Sequence, residues 1–271
     1  MAELTRKEVI QIVAMPRVKD AVVSLAGVDL SGLDLGKLNL EGLDFRRANL
    51  TGARLKAAHL SLANFEGALL DEADLSECGA SGAIFVAASL KKANLAEANL
   101  EEADFKKADL AEARLRKAVL KKAKLNNANL ESADLTRATL TQARLGMANL
   151  LGADLVWVEA EEVELNDADL RMANCDHAVL SRSHMQRASL IETNFNSATL
   201  VECNLTDALL MNADLTRAKF NRAILRGANF RQAKFDGTDL TGAIMRDATL
   251  NGDWRAHVIF ADAIDPDGMK M

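Results

Sequence analysis

The sequence predicts an all-β solenoid, a chain wound into coils that stack in layers. Three observations predict it. A centre, nearly always Leu or Phe, occurs at every residue number divisible by five from Leu25 to Leu250, giving 46 consecutive five-residue repeats without an insertion. Alanine lies two residues before the centre in 34 of the 46 repeats. Charged residues 20 positions apart carry opposite signs far more often than chance pairing gives.

The five-residue period excludes a continuous helix or strand. A helix needs apolar residues three or four positions apart, and a strand needs strict alternation. A period of five fits an extended segment of about three residues followed by a two-residue corner. Side chains at n and n + 2 of an extended segment point the same way. Ala93 and Leu95 are therefore predicted to face the axis and Asn94 to face solvent, with Ala96 and Glu97 at the corner.

The charge pattern predicts how many repeats close one coil. Opposite charges on neighbouring strands stabilise a sheet by roughly 0.2–1 kcal/mol, and like charges destabilise it. At a separation of 20 residues the repeats contain 19 opposite-sign pairs and 5 like-sign pairs, whereas at 15 residues there are 12 of each. Four repeats per coil are therefore expected, with residue n lying over n + 20. Examples are Glu102/Lys122, Lys92/Glu112 and the alternating column Glu162, Arg182, Glu202, Arg222.

The repeats resemble those of a known family. Ala93-Asn94-Leu95, Ala103-Asp104-Phe105 and Ala133-Asp134-Leu135 match the A(D/N)LXX motif of the pentapeptide repeat family, and the resemblance covers about 85% of the chain. It implies a right-handed quadrilateral β-helix of about 11–12 coils. The resemblance also implies possible roles: the best-understood relatives resemble duplex DNA, bind DNA gyrase and protect it from quinolones, and others are secreted effectors. Relatives often dimerise through the C-terminal end.

The chain ends lie outside the repeat, which occupies residues 21–250. Residues 1–20 are predicted to form a short N-terminal helical cap, because Thr5 and Glu8 have the spacing of a capping box that opens a helix through about Ala14. Residues 251–271 are predicted to form a C-terminal cap and tail. The apolar residues expected to cover the first coil are Val9, Ile10, Ile12 and Val13. Those expected to cover the last coil, or to double as a dimer contact, are Trp254, Val258, Ile259 and Phe260.

Two repeats lack a large centre, at Ala80 and Ala160. The first is interpreted mainly as a packing irregularity that the fold tolerates, with compensation by Ile84 and Val86 or a local distortion of the coil. Near the second lies the only sizeable outward apolar patch that the sequence builds, and such patches often mark interaction sites. The alternative is that these residues have no special role. The patch comprises Leu151, Val156, Trp157, Met172, Ile191 and Met211.

No motif in the sequence predicts catalysis. The four histidines are scattered, no phosphate-binding loop occurs, and Cys78, Cys175 and Cys203 occupy inward positions, so no catalytic, cofactor or metal site is expected. The net charge of −6 argues against direct nucleic-acid binding. The basic residues between Lys91 and Lys124 are interpreted as an ion-pair ladder, with a phosphate-binding strip as the alternative. Free thiols and the lack of a long apolar run favour a cytoplasmic protein that does not enter a membrane.

Three functions remain open for what is expected to be a bacterial protein and not an enzyme. The first is a scaffold that binds a protein partner, either as a monomer or as a homodimer. The second is a DNA mimic acting on a type II topoisomerase, and the third is a secreted effector or secretion adaptor. The repeat region holds 32 acidic and 27 basic residues, so no wall is a continuous acidic strip, and the scaffold is favoured.

Overall fold

The fold is given by a computed structural model that describes residues 4–14 and 23–271. Its helices and strands there are α1 (Arg6–Ala14), a 3-10 helix (Trp254–His257), and the strands β1 (Thr238–Asp239) and β2 (Val258–Ile259). The rest of the β structure consists of isolated single-residue bridges. The chain divides into two units, Met1–Asp134 and Leu135–Met271. No helix in the described part is long and apolar enough to cross a membrane.

In both units, residue n is bridged in parallel to residue n + 20. The first unit contains the run Asp74–Asn94–Arg114, and the second contains Asn174–Asn194. The backbone N–H of Asn94 donates to the layer before it, at Ala73 O (2.9 Å), and that of Leu95 donates to the layer after it, at Arg114 O (2.7 Å). These bonds satisfy the wall's polar backbone groups. The predicted four repeats per layer are therefore confirmed within each unit.

The corner between successive walls is a tight turn. In a typical corner, Ala93 N donates to Leu90 O at 3.0 Å, and the intervening Lys92 has φ = 58°. A positive φ at the third residue of such a turn is the mark of a type II turn, which favours glycine or asparagine. Non-glycine residues in this conformation cost roughly 1–2 kcal/mol each. The fold imposes this strain at most corners, and the second corner residue points to solvent.

The core is a column of stacked side chains. Leu95 and Leu115 are fully buried, as the period predicts. Four phenylalanines at the same wall of successive layers stack with centroid separations of 4.9, 4.9 and 4.7 Å and interplanar angles of 3°. They are Phe45, Phe65, Phe85 and Phe105. Ring stacking follows from the n to n + 20 register, because it places identical residues directly over one another.

Polar residues that replace the inward alanine find partners inside the core. Thr193 Oγ1 donates to Leu170 O at 2.7 Å, and Cys203 Sγ lies 2.8 Å from Leu180 O as a donor. Ser183 and Thr238 make equivalent bonds, also to a carbonyl 23 residues earlier in the chain. A buried hydroxyl without a partner destabilises a protein by about 1–3 kcal/mol. The common geometry explains why small polar residues are tolerated at these positions.

The expected compensation at Ala80 is wrong. Ile84 is exposed and Val86 half-buried, because both occupy outward or corner positions and cannot fill the axis. The backbone is not distorted either, since Gly79 keeps its bridges to the layers on both sides. At Ala160 the added volume comes instead from inward residues that replace alanine, Val158 and Val163, which are fully buried.

Helix α1 begins with the predicted capping box. Thr5 N donates to Glu8 Oε2 at 2.7 Å, and Glu8 N donates to Thr5 Oγ1 at 3.3 Å. Arg6 fastens the helix to the first unit, because its guanidinium donates to Asp34 O, to Asp34 Oδ1 (3.2 Å) and to Gly36 O (3.2 Å). Helix α1 ends at Ala14, as predicted; residues 1–3 and 15–22 of the predicted cap region and its junction lie outside the described residues.

The expectation that four apolar residues of α1 cover the coil is only partly right. Val9 is fully buried, Ile12 and Val13 are half-buried, and Ile10 is exposed. Residues 9, 12 and 13 share one face of a helix at spacings of three and four, whereas residue 10 lies about 100° around the axis.

The C-terminal segment differs from its prediction. Although the sequence pattern stops at Leu250, the backbone register continues: β1 pairs in parallel with β2 at Thr238–Val258, and Ile244 bridges Ile264. The chain then turns at Asp265, and Ile264 pairs antiparallel with Lys270. The end of the coils is therefore closed by a hairpin, and the residues buried there are Ala263 and Asp265.

Candidate functional site

The candidate surface lies in the second unit, at two corners that flank one wall. Trp157 is 51% exposed and Met172 is 62% exposed, while Leu151, Val156, Ile191 and Met211 are half-buried. Leu151, Met172, Ile191 and Met211 occupy the corner before the wall, and Val156 and Trp157 occupy the corner after it. The wall between these corners presents Asp154, Asn174 and Asn194. The six predicted residues therefore form two apolar strips separated by a polar column.

The strip at the first corner is interrupted. Arg171 lies in the same column as Leu151 and Ile191, and its guanidinium makes a two-pronged contact with Asp169, with Nη2 2.6 Å from Oδ2. This contact holds the pKa of the Asp169 carboxyl below its ordinary value, chiefly through the hydrogen bonds from Arg171. The charge makes this strip a weaker candidate than the corner at Trp157.

Trp157 and His177 form a two-ring ledge at the second corner. Their rings lie one layer apart with centroids 4.1 Å from each other and planes 23° apart, as the stacking of n over n + 20 predicts. Both residues have positive φ (57° and 56°), which turns their side chains outward. His177 Nδ1 lies 3.0 Å from Asp176 Oδ1, but the contact lacks hydrogen-bond geometry, and this buried nitrogen atom has no hydrogen-bond partner among the described residues.

Other exposed apolar side chains were missed by the sequence reasoning. Leu62 is 64% exposed and Met147 is 63% exposed, as much as Met172. Both occupy the second corner position, with φ of 59° and 58°. Their position as second corner residues of the five-residue repeat predicts that they face solvent, and this could have identified them from the sequence. The patch around Trp157 is therefore distinguished by its aromatic rings rather than by its apolar exposure.

The outer surface carries the predicted ladder of ion pairs. Ten ion pairs between described residues join side chains 20 positions apart, including Lys117–Glu97 (2.8 Å), Lys92–Glu112 (3.7 Å) and Lys122–Glu102 (3.9 Å). The column that starts at Glu162 forms two of its three possible pairs, Arg182–Glu162 at 3.1 Å and Arg222–Glu202 at 3.5 Å. Exposed pairs of this kind contribute only about 0–1 kcal/mol each. They neutralise the walls more than they stabilise them.

The basic stretch between Lys91 and Lys124 lies within this ladder. Lys91 reaches Asp109 at 3.2 Å, Arg116 reaches Asp134 at 3.3 Å, and Lys124 reaches Asp104 at 3.9 Å. Because acidic side chains occupy most of these basic groups, the stretch offers little unpaired positive charge to a phosphate backbone. The geometry favours the ion-pair interpretation.

The cysteines have the environment of core residues. Cys78, Cys175 and Cys203 are buried and form no disulfide. Burial raises the pKa of the Cys78 thiol to about 12 and that of Cys203 to about 12, and it raises the pKa of Cys175 as well. Only the thiolate is a good nucleophile. In the described residues no group of three His, Cys, Asp or Glu side chains is arranged to hold a metal ion.

The four predicted C-terminal residues cover the last layer only in part. Ile259 is 59% exposed and Phe260 is 36% exposed, while Trp254 and Val258 are half-buried. Val258 and Ile259 form β2, so their backbone covers the last layer while the Ile259 side chain points outward. Trp254 lines a depression of about 290 Å³ with Phe235 and His257, and Arg255 lies 5.1 Å above its ring.

Comparison with known proteins identifies the repeat. A model of pentapeptide repeats matches eight copies within residues 24–150 and 173–252. HetL, a pentapeptide repeat protein involved in heterocyst differentiation regulation in the cyanobacterium Nostoc sp. strain PCC 7120, is 32% identical, with 99% of this chain and 100% of that chain covered and a TM-score of 0.28. The chain belongs to the pentapeptide repeat family. The family model leaves residues 151–172 unmatched, and this segment contains Trp157.

Two further solved structures have a lower sequence identity to this chain. QnrB1, a plasmid-mediated fluoroquinolone resistance protein, is 16% identical over 66% of this chain and 90% of that chain, with a TM-score of 0.32. Rfr23 from the cyanobacterium Cyanothece 51142 is 27% identical over 47% of this chain and 63% of that chain, with a TM-score of 0.20. A search of curated proteins gives no match.

Proposed function

We propose that this pentapeptide repeat protein is a non-catalytic scaffold that binds a protein partner through the corner at Trp157. One observation carries the proposal: within residues 23–250, Trp157 is the one Trp or Phe outside an inward position, and it is half exposed. An indole exposed at a corner of an otherwise polar surface is unfavourable in water. Tryptophan is also enriched among the residues that dominate protein interfaces. The segment's departure from the family repeat supports the same interpretation.

The proposed partner contact extends beyond the rings. A stable protein interface buries about 800 Å² on each partner, far more than one tryptophan supplies. Val156 at the same corner and the polar column of Asp154, Asn174 and Asn194 lie next to Trp157 and would form the rest of the contact. A flat wall with satisfied backbone bonds suits this role, since binding requires little reordering of the scaffold.

We propose the finer form of the fold as well: each unit is a right-handed quadrilateral β-helix. The parallel bridges between n and n + 20, the corner after every third wall residue and the family membership support it. We also propose that the protein works in the cytoplasm, because three free thiols suit a reducing compartment.

The C-terminal end supports a second proposal, a homodimer. Ile259, Phe260 and Met269 are exposed apolar residues beside the terminal hairpin. A second copy of the chain would cover them. Sedimentation equilibrium tests this: the Ile259→Ser/Phe260→Ser variant should shift the mass from dimer to monomer, and a monomeric wild-type protein would contradict the proposal.

The ion-pair ladder argues against the DNA-mimic function. A mimic needs an unbroken negative surface, whereas bases alternate with acids on the described walls. A gyrase supercoiling assay with and without a quinolone should therefore show no response to micromolar protein. A response would favour the mimic over the scaffold.

Site-specific photocrosslinking tests the scaffold. A benzophenone side chain placed at position 156, beside an intact Trp157, should capture the same protein from repeated lysates of the source cell, while the same group at position 61 should not. Position 61 is the matched control, because Val156 and Ser61 are both half-buried first corner residues, and Leu62 after Ser61 has a φ and an exposure comparable to those of Trp157. Adding Trp157→Ser to the position-156 variant should abolish the capture. Equal capture at both positions would contradict the proposal.

A further inference from the structure

The Trp157 corner lies in the most acidic part of the chain. Residues 151–180 contain eight acidic residues and one basic residue, Arg171. Five of these acids pair with arginines: Glu161 and Glu162 with Arg182 (3.4 and 3.1 Å), Glu164 with Arg144 (3.7 Å), Asp167 with Arg187 (2.6 Å) and Asp169 with Arg171 (2.6 Å). These paired acids are poor candidates for binding a ligand, because each already contacts a basic side chain.

Glu159 is different. It is exposed, and no ion pair joins it to another described residue. It follows Trp157 by two residues, with the buried Val158 between them, and its neighbour in the next layer is Val179. A free carboxylate therefore stands on the wall that begins at the Trp157 corner, beside a half-buried apolar side chain.

The wall that ends at the Trp157 corner also adds negative potential there. Asp154 precedes Trp157 by three residues, and its Oδ1 accepts a hydrogen bond from Val156 N at 3.1 Å. Asp176 lies at the corner one layer on, next to His177. The two-ring ledge is thus flanked by carboxylates on both walls, and the four arginines named above, from Arg144 to Arg187, pair with other acids. One basic residue, Arg137, lies at this corner in the layer before Trp157, on the side away from His177.

We propose that this corner binds an arginine side chain of a basic segment in the partner protein; this inference rests on the proposed scaffold function. A guanidinium stacks face to face on an indole and is attracted by its ring electrons. Its fork of N–H donors matches a carboxylate, here Glu159. The methylene groups of arginine would lie against Val156 and Val179. A lysine ammonium is more strongly hydrated and lacks the planar face, and a nucleic-acid phosphate would be repelled by the acids.

Fluorescence polarisation with labelled peptides tests this assignment. A tetra-arginine peptide should bind the wild-type protein at least threefold more tightly than a tetra-lysine peptide of the same charge, and tetra-glutamate should not bind. Trp157→Ser should weaken tetra-arginine binding at least fivefold. Circular dichroism should be unchanged in this variant, because Trp157 is not part of the core.

The charge-matched pair of variants is Glu159→Lys and Glu192→Lys. Both residues are exposed in the second unit. Glu192 lies at the corner before the wall of Asp154, Asn174 and Asn194, whereas Trp157 lies at the corner after that wall. Glu159→Lys should weaken tetra-arginine binding at least threefold more than Glu192→Lys does. Equal effects of the two variants, or equal affinity for the lysine and arginine peptides, would overturn the assignment, because each result indicates diffuse electrostatic attraction.

The peptide assay and the crosslinking experiment test different claims, so one proposal can be contradicted while the other is kept. Capture at position 156 that is lost on adding Trp157→Ser, without arginine selectivity in the peptide assay, would keep the scaffold and overturn the arginine site. Selective peptide binding without any partner captured at position 156 would keep the arginine site and contradict the scaffold function.

Discussion

The stacked phenylalanines allow a prediction whose magnitude follows from the structure. Phe65 is fully buried and stacks on Phe45 and Phe85, with both centroid distances 4.9 Å. Truncating a buried phenylalanine to alanine costs about 3–5 kcal/mol. Each stacked aromatic pair adds about 0.5–1.5 kcal/mol beyond its buried area. Phe65→Ala is therefore expected near the top of that range, about 4–5 kcal/mol.

Phe105 provides an internal comparison. It stacks on Phe85, and the residue in the next layer is Leu125, so its truncation removes one ring pair instead of two. Phe105→Ala should destabilise the protein by about 0.5–1.5 kcal/mol less than Phe65→Ala. The exposed control is Leu62→Ala, where the change should stay within about 0.5 kcal/mol.

Equilibrium unfolding in urea, followed by far-ultraviolet circular dichroism, measures these differences. Both tryptophans lie in the second unit, so their fluorescence is not a direct probe of the layers around Phe65. Stability in a repeat protein is close to a sum of nearest-neighbour terms, so the loss should appear as a shift of the transition that contains those layers. A cost below about 1 kcal/mol for Phe65→Ala, or no difference between Phe65→Ala and Phe105→Ala, would refute the stacked column.

Three further predictions address the corners, the thiols and the acid limb of stability. Lys107→Gly should stabilise the protein to urea by about 0.5–1 kcal/mol, because glycine relieves the positive φ of 58°; destabilisation would contradict the turn geometry. Cys78 and Cys203 should react with a thiol reagent at pH 8 only as fast as the protein unfolds, since burial raises the pKa of each to about 12, and rapid native labelling would contradict their burial. The Arg46 guanidinium holds the pKa of Asp44 well below its ordinary value, so this carboxylate stabilises the fold above about pH 4 and the contribution is lost as pH falls below that value. Asp44→Asn should flatten the fall of the urea midpoint between pH 4 and pH 2, and an unchanged slope would exclude this carboxyl as a cause.

The sequence predicted the layer register because two independent patterns specify it. The inward residues repeat every five positions, and the charges alternate every 20, so Leu95 in the core and Lys117 beside Glu97 both follow. The same regularity predicted the stacking of Trp157 on His177. Repetition makes each layer's surroundings nearly identical, which removes the long-range ambiguity that limits prediction for most folds.

Prediction failed where the repetition stops. Ile259 and Phe260 were expected to cover the last layer, but β2 keeps the n to n + 20 register, which turns Ile259 outward, and Phe260, which follows the strand, is 36% exposed. The turn at Asp265, with Met269 N donating to Asp265 Oδ1 at 2.8 Å, closes the end by hydrogen bonding instead. Ile10 failed for a related reason, since the packing of the nine-residue α1 against the first unit decides which of its apolar residues are buried. These ends depend on tertiary contacts that a periodic pattern does not encode.

The most direct test of the central claim is disulfide crosslinking between layers. Asn94 is bridged to Arg114, and neighbouring parallel strands lie about 4.8 Å apart, within the Cα separation that a disulfide accepts. The Asn94→Cys/Arg114→Cys variant should form an intramolecular disulfide under mild oxidation, whereas Asn94→Cys/Asp109→Cys, 15 residues apart, should not. Efficient crosslinking of the second pair, or failure of the first in the folded protein, would contradict four repeats per layer.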